Sequence, residues 1–333
     1  MGRKRIESDN TSLIPVDNST TELFKSYKQD TTTPALYMSY IPSFFTTASL
    51  PFKNVNKTTF TRKGSQGVTL TLTSPTNVPF GKFGRLLLSV LTTHAVLSKE
   101  KNAPVLIEYK SLADLLKELQ LPKQRGKEVK EQLECFKNAA FCFEQRIETL
   151  QAGYLFEDLM EKPFPKGDVR VETVTTGNIR FTTGVQYQNV RDANSEKPGA
   201  WVGNFKILIS GEFAAFCQEH AVPINYTVYK EISSAAGKDI YAWLVYRNNG
   251  LKDKVFVPRD KLVEQFMPLS DENDRKLLSV YYSRIVDEIK TIKEKYYPEL
   301  NVDLTSSTGI TLYKSPTPVL KDDTRYALIT ATI

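Results

Sequence analysis

The sequence predicts an α+β chain of two tandem units, each a pair of helices closed by a β-hairpin, behind an irregular N-terminal arm. Three observations predict it. The 333 residues, 41% of them hydrophobic, suffice for two domains of common size, so more than one core is expected. Apolar residues recur at spacings of three and four from Gly81 onward and again along a long stretch from Asp271, the period of buried helix faces. Each helical stretch gives way to short apolar runs around Gly, Ser, Asn and Pro, the punctuation of hairpins.

Residues 1 to 55 are rich in Thr, Ser, Asn and Pro without helical or alternating period and read as an arm, with Tyr37, Tyr40, Phe44, Phe45 and Phe52 available to dock on a domain. Thr59 to Leu72 alternates around Gly64-Ser65-Gln66-Gly67, a short hairpin that opens the first unit, residues 56–200. The stripe Phe83, Leu86, Leu87, Val90, Leu91 predicts a core helix. Val105-Leu106-Ile107 is a strand, and Ser111 is a good N-cap for a helix through Leu112, Leu115, Leu116 and Leu119. After Leu121-Pro122 the turn Lys123-Gln124-Arg125-Gly126-Lys127 opens a second helix with the stripe Val129, Leu133, Phe136, Ala140, which makes a helix-turn-helix. Phe141-Cys142-Phe143 and Asn178 to Val190 are the strands that follow, separated by a polar stretch containing Pro163, Pro165 and Gly167. Helix-turn-helix followed by hairpin strands is a winged helix.

A linker at residues 191–200 leads into the second unit, 201–333. Short helices are expected at Gly211–His220 and Tyr226–Ser234, a third around Ile240, Trp243 and Leu244, a strand at Val255-Phe256-Val257 and a helix at Arg259–Phe266. The long helix follows with the stripe Leu278, Tyr281, Ile285, Ile289, Ile292, Tyr296. Asp271, Glu272 and Asp274 sit at its positive end, and it stops at Pro298. Val302–Leu304 and Ile310–Tyr313 flank Ser306-Ser307-Thr308-Gly309 as a second wing.

Composition narrows the function. A net charge of +6, from 44 Lys and Arg against 38 Asp and Glu, suits an anionic partner without demanding one. Three cysteines without a CxxC pair and two histidines, His94 and His220, are poor material for a zinc site or for the metal of a nicking tyrosine enzyme. Gly237-Lys238 is followed by Asp239 and preceded by Ile232 where a phosphate loop needs Gly, so no ATP hydrolysis is expected. No Gly-x-Ser-x-Gly elbow or carboxylate pair stands out. No catalytic residue, metal or cofactor is therefore expected. There is no apolar run of membrane-spanning length, no signal segment, and Ile6 stands where a myristoylation motif needs Ser or Thr, so a cytosolic protein without membrane association is expected.

What remains is a pair of helices able to enter a DNA groove. In the first, Lys123, Arg125, Lys127 and Lys130 offer cations to phosphates or guanine edges. In the second, Arg275, Lys276, Ser279, Ser283 and Arg284 offer donors for base reading. Lys127, Lys130 and Lys137 also interleave with Glu128, Glu131 and Glu134, as on an ordinary solvated face. Tyr281, Tyr282, Tyr296 and Tyr297 read as core, as do the tryptophans, and His94 as a structural or surface histidine.

Ala48-Ser49-Leu50-Pro51-Phe52, Val78-Pro79-Phe80-Gly81-Lys82-Phe83-Gly84-Arg85-Leu86-Leu87-Leu88 and Leu91-Thr92-Thr93-His94-Ala95-Val96 resemble the opening of the proteobacterial plasmid RepA-type replication initiator family. Ser111-Leu112-Ala113-Asp114-Leu115-Leu116 with Gly126 resembles its helix-turn-helix. Ala221-Val222-Pro223-Ile224, Asp239-Ile240-Tyr241-Ala242-Trp243-Leu244-Val245-Tyr246-Arg247 and Gln265-Phe266 resemble its second half. The resemblance implies binding to direct repeats (iterons) in double-stranded DNA at a plasmid origin in the bacterial cytosol, opening of nearby duplex, and recruitment of the host initiator and helicase. It also implies that the second unit supplies most base readout, while the first touches phosphates and serves homodimer formation. A DNA-binding repressor or partition factor uses the same surfaces and stays open as an alternative.

Overall fold

The computed structural model of the protein describes residues 38–64, 67–152, 168–190, 200–201, 205–267 and 275–319. The first 37 residues, the stretch holding Pro163, Pro165 and Gly167, residues 191–199 of the expected linker, and the acidic cap Asp271, Glu272 and Asp274 lie outside them. Chain order is β1 (Met38–Pro42), α1 (Ser43–Thr47), β2 (Thr59–Lys63), β3 (Val68–Thr73), α2 (Gly81–Leu97), β4 (Val105–Tyr109) and α3 (Leu112–Glu118). A 3-10 turn (Lys123–Arg125) leads to α4 (Gly126–Phe136), β5 (Ala140–Ala152), β6 (Asp168–Arg180), β7 (Thr182–Gln186), β8 (Asn189–Val190), β9 (Ala200–Trp201) and β10 (Phe205–Ile209). The chain continues through α5 (Gly211–His220), β11 (Ala221–Asn225), α6 (Tyr226–Glu231), α7 (Ala235–Gly250), β12 (Lys254–Pro258), α8 (Arg259–Phe266), α9 (Arg275–Lys295), β13 (Val302–Asp303) and β14 (Gly309–Tyr313). The architecture is mixed, helices packed on several small sheets.

Helix α2 is the axle. Gly84 through Ala95 are buried all round, and the hydroxyl residues of that run are satisfied locally: Ser89, Thr92 and Thr93 donate to the carbonyls of Leu86, Leu88 and Ser89 at 2.6–2.8 Å. Hydroxyls bonded to their own helix let a polar-looking stripe enter a core. The expected arm is built in from residue 38. Strand β1 pairs antiparallel with β11, from Met38 opposite Asn225 to Pro42 opposite Ala221. Tyr40 donates its N–H to Thr93 Oγ1 on α2 at 3.0 Å. Ile41, Phe45, Ala48 and Leu50 are buried, so docking of the segment's apolar residues offsets the cost of its order.

An aromatic cluster forms the core beside α2. Phe141 lies 5.2 Å from Phe45 and 5.0 Å from Phe181, and Phe181 meets Phe136 edge-on at 5.0 Å. Helix α4 stops at Phe136, so Ala140 belongs to the strand and not to the helical stripe. Strand β6 begins at Asp168, ten residues before the expected Asn178, and pairs with β5 along its whole length in the sheet β2-β3-β5-β6. Strand β7 continues beyond Phe181 and pairs with β10, which also pairs with β4. Strand β10 follows the expected boundary at 200/201, yet Phe205, Ile207, Leu208 and Ile209 are buried as the centre of a sheet whose other strands precede that boundary. Apolar side chains on both strand faces demand cover on both, and the strands that pair with β10, β4 and β7, both belong to the first unit.

The second half keeps a simpler order: α7, β12, α8, α9, then β13 and β14, with sheet order β12-β14-β13. On α9, Ile285, Ile289 and Ile292 are buried as their spacing predicts, joined by Tyr282 and Val286, while Leu278 and Tyr281, and Tyr296 just past the helix end, are half-buried against the same core. Gly309 is required where it stands, because a Cβ there would sit 2.3 Å from the Val257 carbonyl and 2.6 Å from the Phe256 ring. Buried amide bonds close the unit: Asn248 donates Nδ2–H to the Ser315 carbonyl at 2.8 Å and accepts the Ser315 N–H at 2.8 Å.

The halves share one continuous core. At their junction Arg85 of α2 meets Asp239 of α7, Nε to Oδ1 at 2.6 Å and Nη2 to Oδ2 at 2.7 Å. The same guanidinium donates to the carbonyls of Leu50, Gly81 and Pro51 at 2.6, 2.9 and 3.1 Å. All five N–H groups are used, which is what makes a guanidinium tolerable in an interior.

Candidate nucleic-acid interface

The first cluster of predicted cations falls at the entry to α4. Lys123 and Arg125 lie exposed in the 3-10 turn, Lys127 is exposed in the first turn of the helix, and Lys130, one turn on, is half-buried and engaged in an intramolecular interaction. The turn out of α3 is made by Gln120 in the left-handed region, φ 51°, and not by the glycine the sequence suggested. Gly126 instead opens α4, beside Leu112 and Leu116 of α3. Arg125 donates to Glu128 at 2.9 Å, and that bond holds the Glu128 carboxyl below the usual carboxylate range. The Arg125 guanidinium also lies 5.8 Å from the ring centre of Phe83, which carries Lys82 on its ring at 5.2 Å. Lys82 is thus a cation beside the α4 entry that sequence reading missed, since only packing of α2 against α4 brings the two segments together. Of the interleaved acids, Glu134 pairs with Lys137 at 3.7 Å, so this helix is partly the solvated face its spacing allowed.

The second cluster lies on α9. Arg275 opens the helix, its side chain outside what is described. Lys276, Ser279, Ser283 and Arg284 are all exposed, on the side opposite Ile285, Ile289 and Ile292. Arg284 lies 5.6 Å from the Tyr281 ring centre, and Ser279 already has an intramolecular interaction. One turn further, Asp287 pairs with Lys290 at 3.6 Å. Val280 shares this face at 45% exposure, an apolar residue the sequence reading passed over because it sits off the buried stripe. Tyr282 fixes the helix to its hairpin, its hydroxyl 2.8 Å from the Ser306 carbonyl and 2.7 Å from that of Gly309. Arg259 adds a cation there, its backbone N–H bonded to the Thr308 carbonyl at 2.9 Å.

Behind the surface, His94 is buried with Nε2 2.7 Å from Glu118, whose other oxygen accepts the Tyr109 hydroxyl at 2.5 Å. Burial and the Glu118 charge push the Tyr109 phenol well up. His94 thus serves as a core residue tying α2 to α3. Lys238, the lysine of the rejected phosphate loop, is buried, with its ammonium donating to the carbonyls of Tyr229 and Lys230. Burial, then the nearby Arg85, pushes it down to about 7. Among the described residues no group of three His, Cys, Asp or Glu could hold a metal ion, and no helix is long and apolar enough to cross a membrane.

No family model matches this chain. No curated protein matches it either. Among solved structures, a crystal structure of domains 2 and 3 of RctB aligns over 84% of this chain and 99% of that one, with a TM-score of 0.49 and 11% identity. A second crystal structure of RctB domains 2–3 aligns over 85% and 97%, with a TM-score of 0.40 and 8% identity. Neither likeness assigns a ligand to this chain.

Proposed function

We propose that the protein is a non-enzymatic, sequence-specific binder of double-stranded DNA built from two winged-helix units, acting in the bacterial cytosol as a plasmid replication initiator of the RepA type. The observation that carries the reading is α9: a 21-residue helix whose outer face presents Lys276, Ser279, Ser283 and Arg284 while Tyr282 anchors it to the β13–β14 turn. A helix of this kind beside a hairpin inserts its polar face into the major groove, with the hairpin at the flanking backbone. Helix, strand, two helices and hairpin in that order, with sheet order β12-β14-β13, support the winged-helix reading for the second unit. From α2 to β6 the first unit also runs helix, strand, two helices and two strands, although its β4 pairs with β10 and not with β5 or β6. The motif resemblance supports origin repeats as the target, with duplex opening, recruitment of the host initiator and helicase, and homodimer formation through the first unit.

Selection of bound duplexes from a random pool tests the reading. A repeated motif retained at physiological salt, against a scrambled control, is the expected result. Weak binding that is blind to sequence and vanishes with salt overturns it. Transformation with an origin plasmid lacking its own initiator then separates an initiator from a repressor or partition factor.

A further inference from the structure

Four large hydrophobic side chains stand out as exposed among the described residues, and one of them, Val280, lies on the face of α9 assigned to DNA. Lys276 precedes it by four residues, and Ser283 and Arg284 follow it by three and four, so on a helix these side chains surround it. Neither propensity nor solvation explains a valine there: a β-branched residue is a weak helix former, and water favours a polar one. The core does not claim it either, because Ile285, Ile289 and Ile292 on the opposite side already fill the packing stripe. An apolar group amid cations and hydroxyls fits a surface that is anionic at its rim and carries an apolar point at its centre. In the major groove of a duplex that point is the C5-methyl of thymine, the one apolar group the base edges display there.

We propose that Val280 is a specificity-determining residue that reads a thymine methyl, with Lys276 and Arg284 flanking it toward the phosphates. This rests on the reading of α9 as the base-reading helix. The test uses the full-length protein and the duplex selected from the random pool, with each thymine replaced in turn by deoxyuridine, which lacks only the methyl. Wild-type affinity is expected to fall roughly fourfold at one position, the worth of one buried methyl, and to be unchanged at the others. V280S should lose a comparable factor on the thymine duplex and become indifferent to uracil at that position. V280T, which keeps one methyl, should fall between, with unaltered melting temperatures because the residue is exposed.

If no thymine is methyl-dependent for the wild type, or if V280S keeps the same uracil penalty, Val280 does not read a methyl. Strong sequence preference with either result overturns this proposal alone. Absence of any selected motif overturns the reading of α9 together with it.

Discussion

In the first unit Arg125 is bonded to Glu128 and the half-buried Lys137 is paired with Glu134, whereas α9 in the second places Lys276 and Arg284 beside serines and an exposed valine. Charge compensated on its own helix adds long-range attraction to a polyanion but little directed hydrogen bonding. A face with hydroxyls and an apolar point can tell one base edge from another. Under the proposed function, this difference makes the first unit the source of affinity and the second the source of discrimination. It also bears on the interior: the first unit joins the second through a charged junction, Arg85 with Asp239, while the second closes on neutral bonds of Asn248, Tyr282 and Tyr297.

The largest expected effect is at that junction. Arg85→Ala leaves Asp239 buried without its counter-charge and should cost roughly 3 to 5 kcal/mol in chemical denaturation. The double change Arg85→Met with Asp239→Leu should recover much of it, and no recovery would mean the pair is incidental to the loss.

Lys238 gives the next. Its folded-state value of about 7 lies below the ordinary 10.5, so the folded chain binds fewer protons than the unfolded one between those limits. Stability should therefore climb from pH 7 toward pH 9. Above about pH 9 the thiols of Cys135 and Cys217, and above about pH 10 the phenols of Tyr109, Tyr226 and Tyr229, all pushed up by burial, reverse the trend as their unfolded counterparts ionise. Lys238→Met should flatten the climb and leave the alkaline fall; an unchanged slope would place the titration elsewhere.

On the DNA side the comparison sharpens to a contrast in kind. Arg275→Ala should lose roughly 1 to 3 kcal/mol on the cognate site and relax preference at one position; equal loss on every sequence would demote it to a phosphate contact. Replacing Lys123 and Lys127 together should weaken all duplexes alike and make the salt slope shallower by roughly two units. An unchanged slope would remove α4 from the interface and break the division of labour.

Periodicity accounts for most of the helices, because a buried stripe leaves its spacing in the sequence: Leu86, Leu87, Val90 and Leu91 on α2, and Ile285, Ile289 and Ile292 on α9, are buried as read. The turns marked by Gly and Ser at 64–67 and 306–309 also join paired strands, β2 with β3 and β13 with β14. The sequence predicts too short a β6, since Thr173, Thr175 and Thr176 look like loop chemistry until β5 is laid beside them. Residues 38–52 looked like an arm for a related reason. Their partner, residues 221–225, is distant in sequence, and pairing across such a distance leaves no local period.

By itself the sequence determined which segments are helical, which faces are apolar, and where cations and hydroxyls gather on the polar sides of α4 and α9. These are consequences of neighbours three and four residues apart. Only the tertiary structure decided that Arg85 meets Asp239, that β10 serves the first unit, that Lys82 joins Arg125 around Phe83, and that Val280 stays exposed. Each depends on residues brought together from distant parts of the chain or on what the packed core leaves uncovered, and burial is a property of the packed whole that no local pattern encodes.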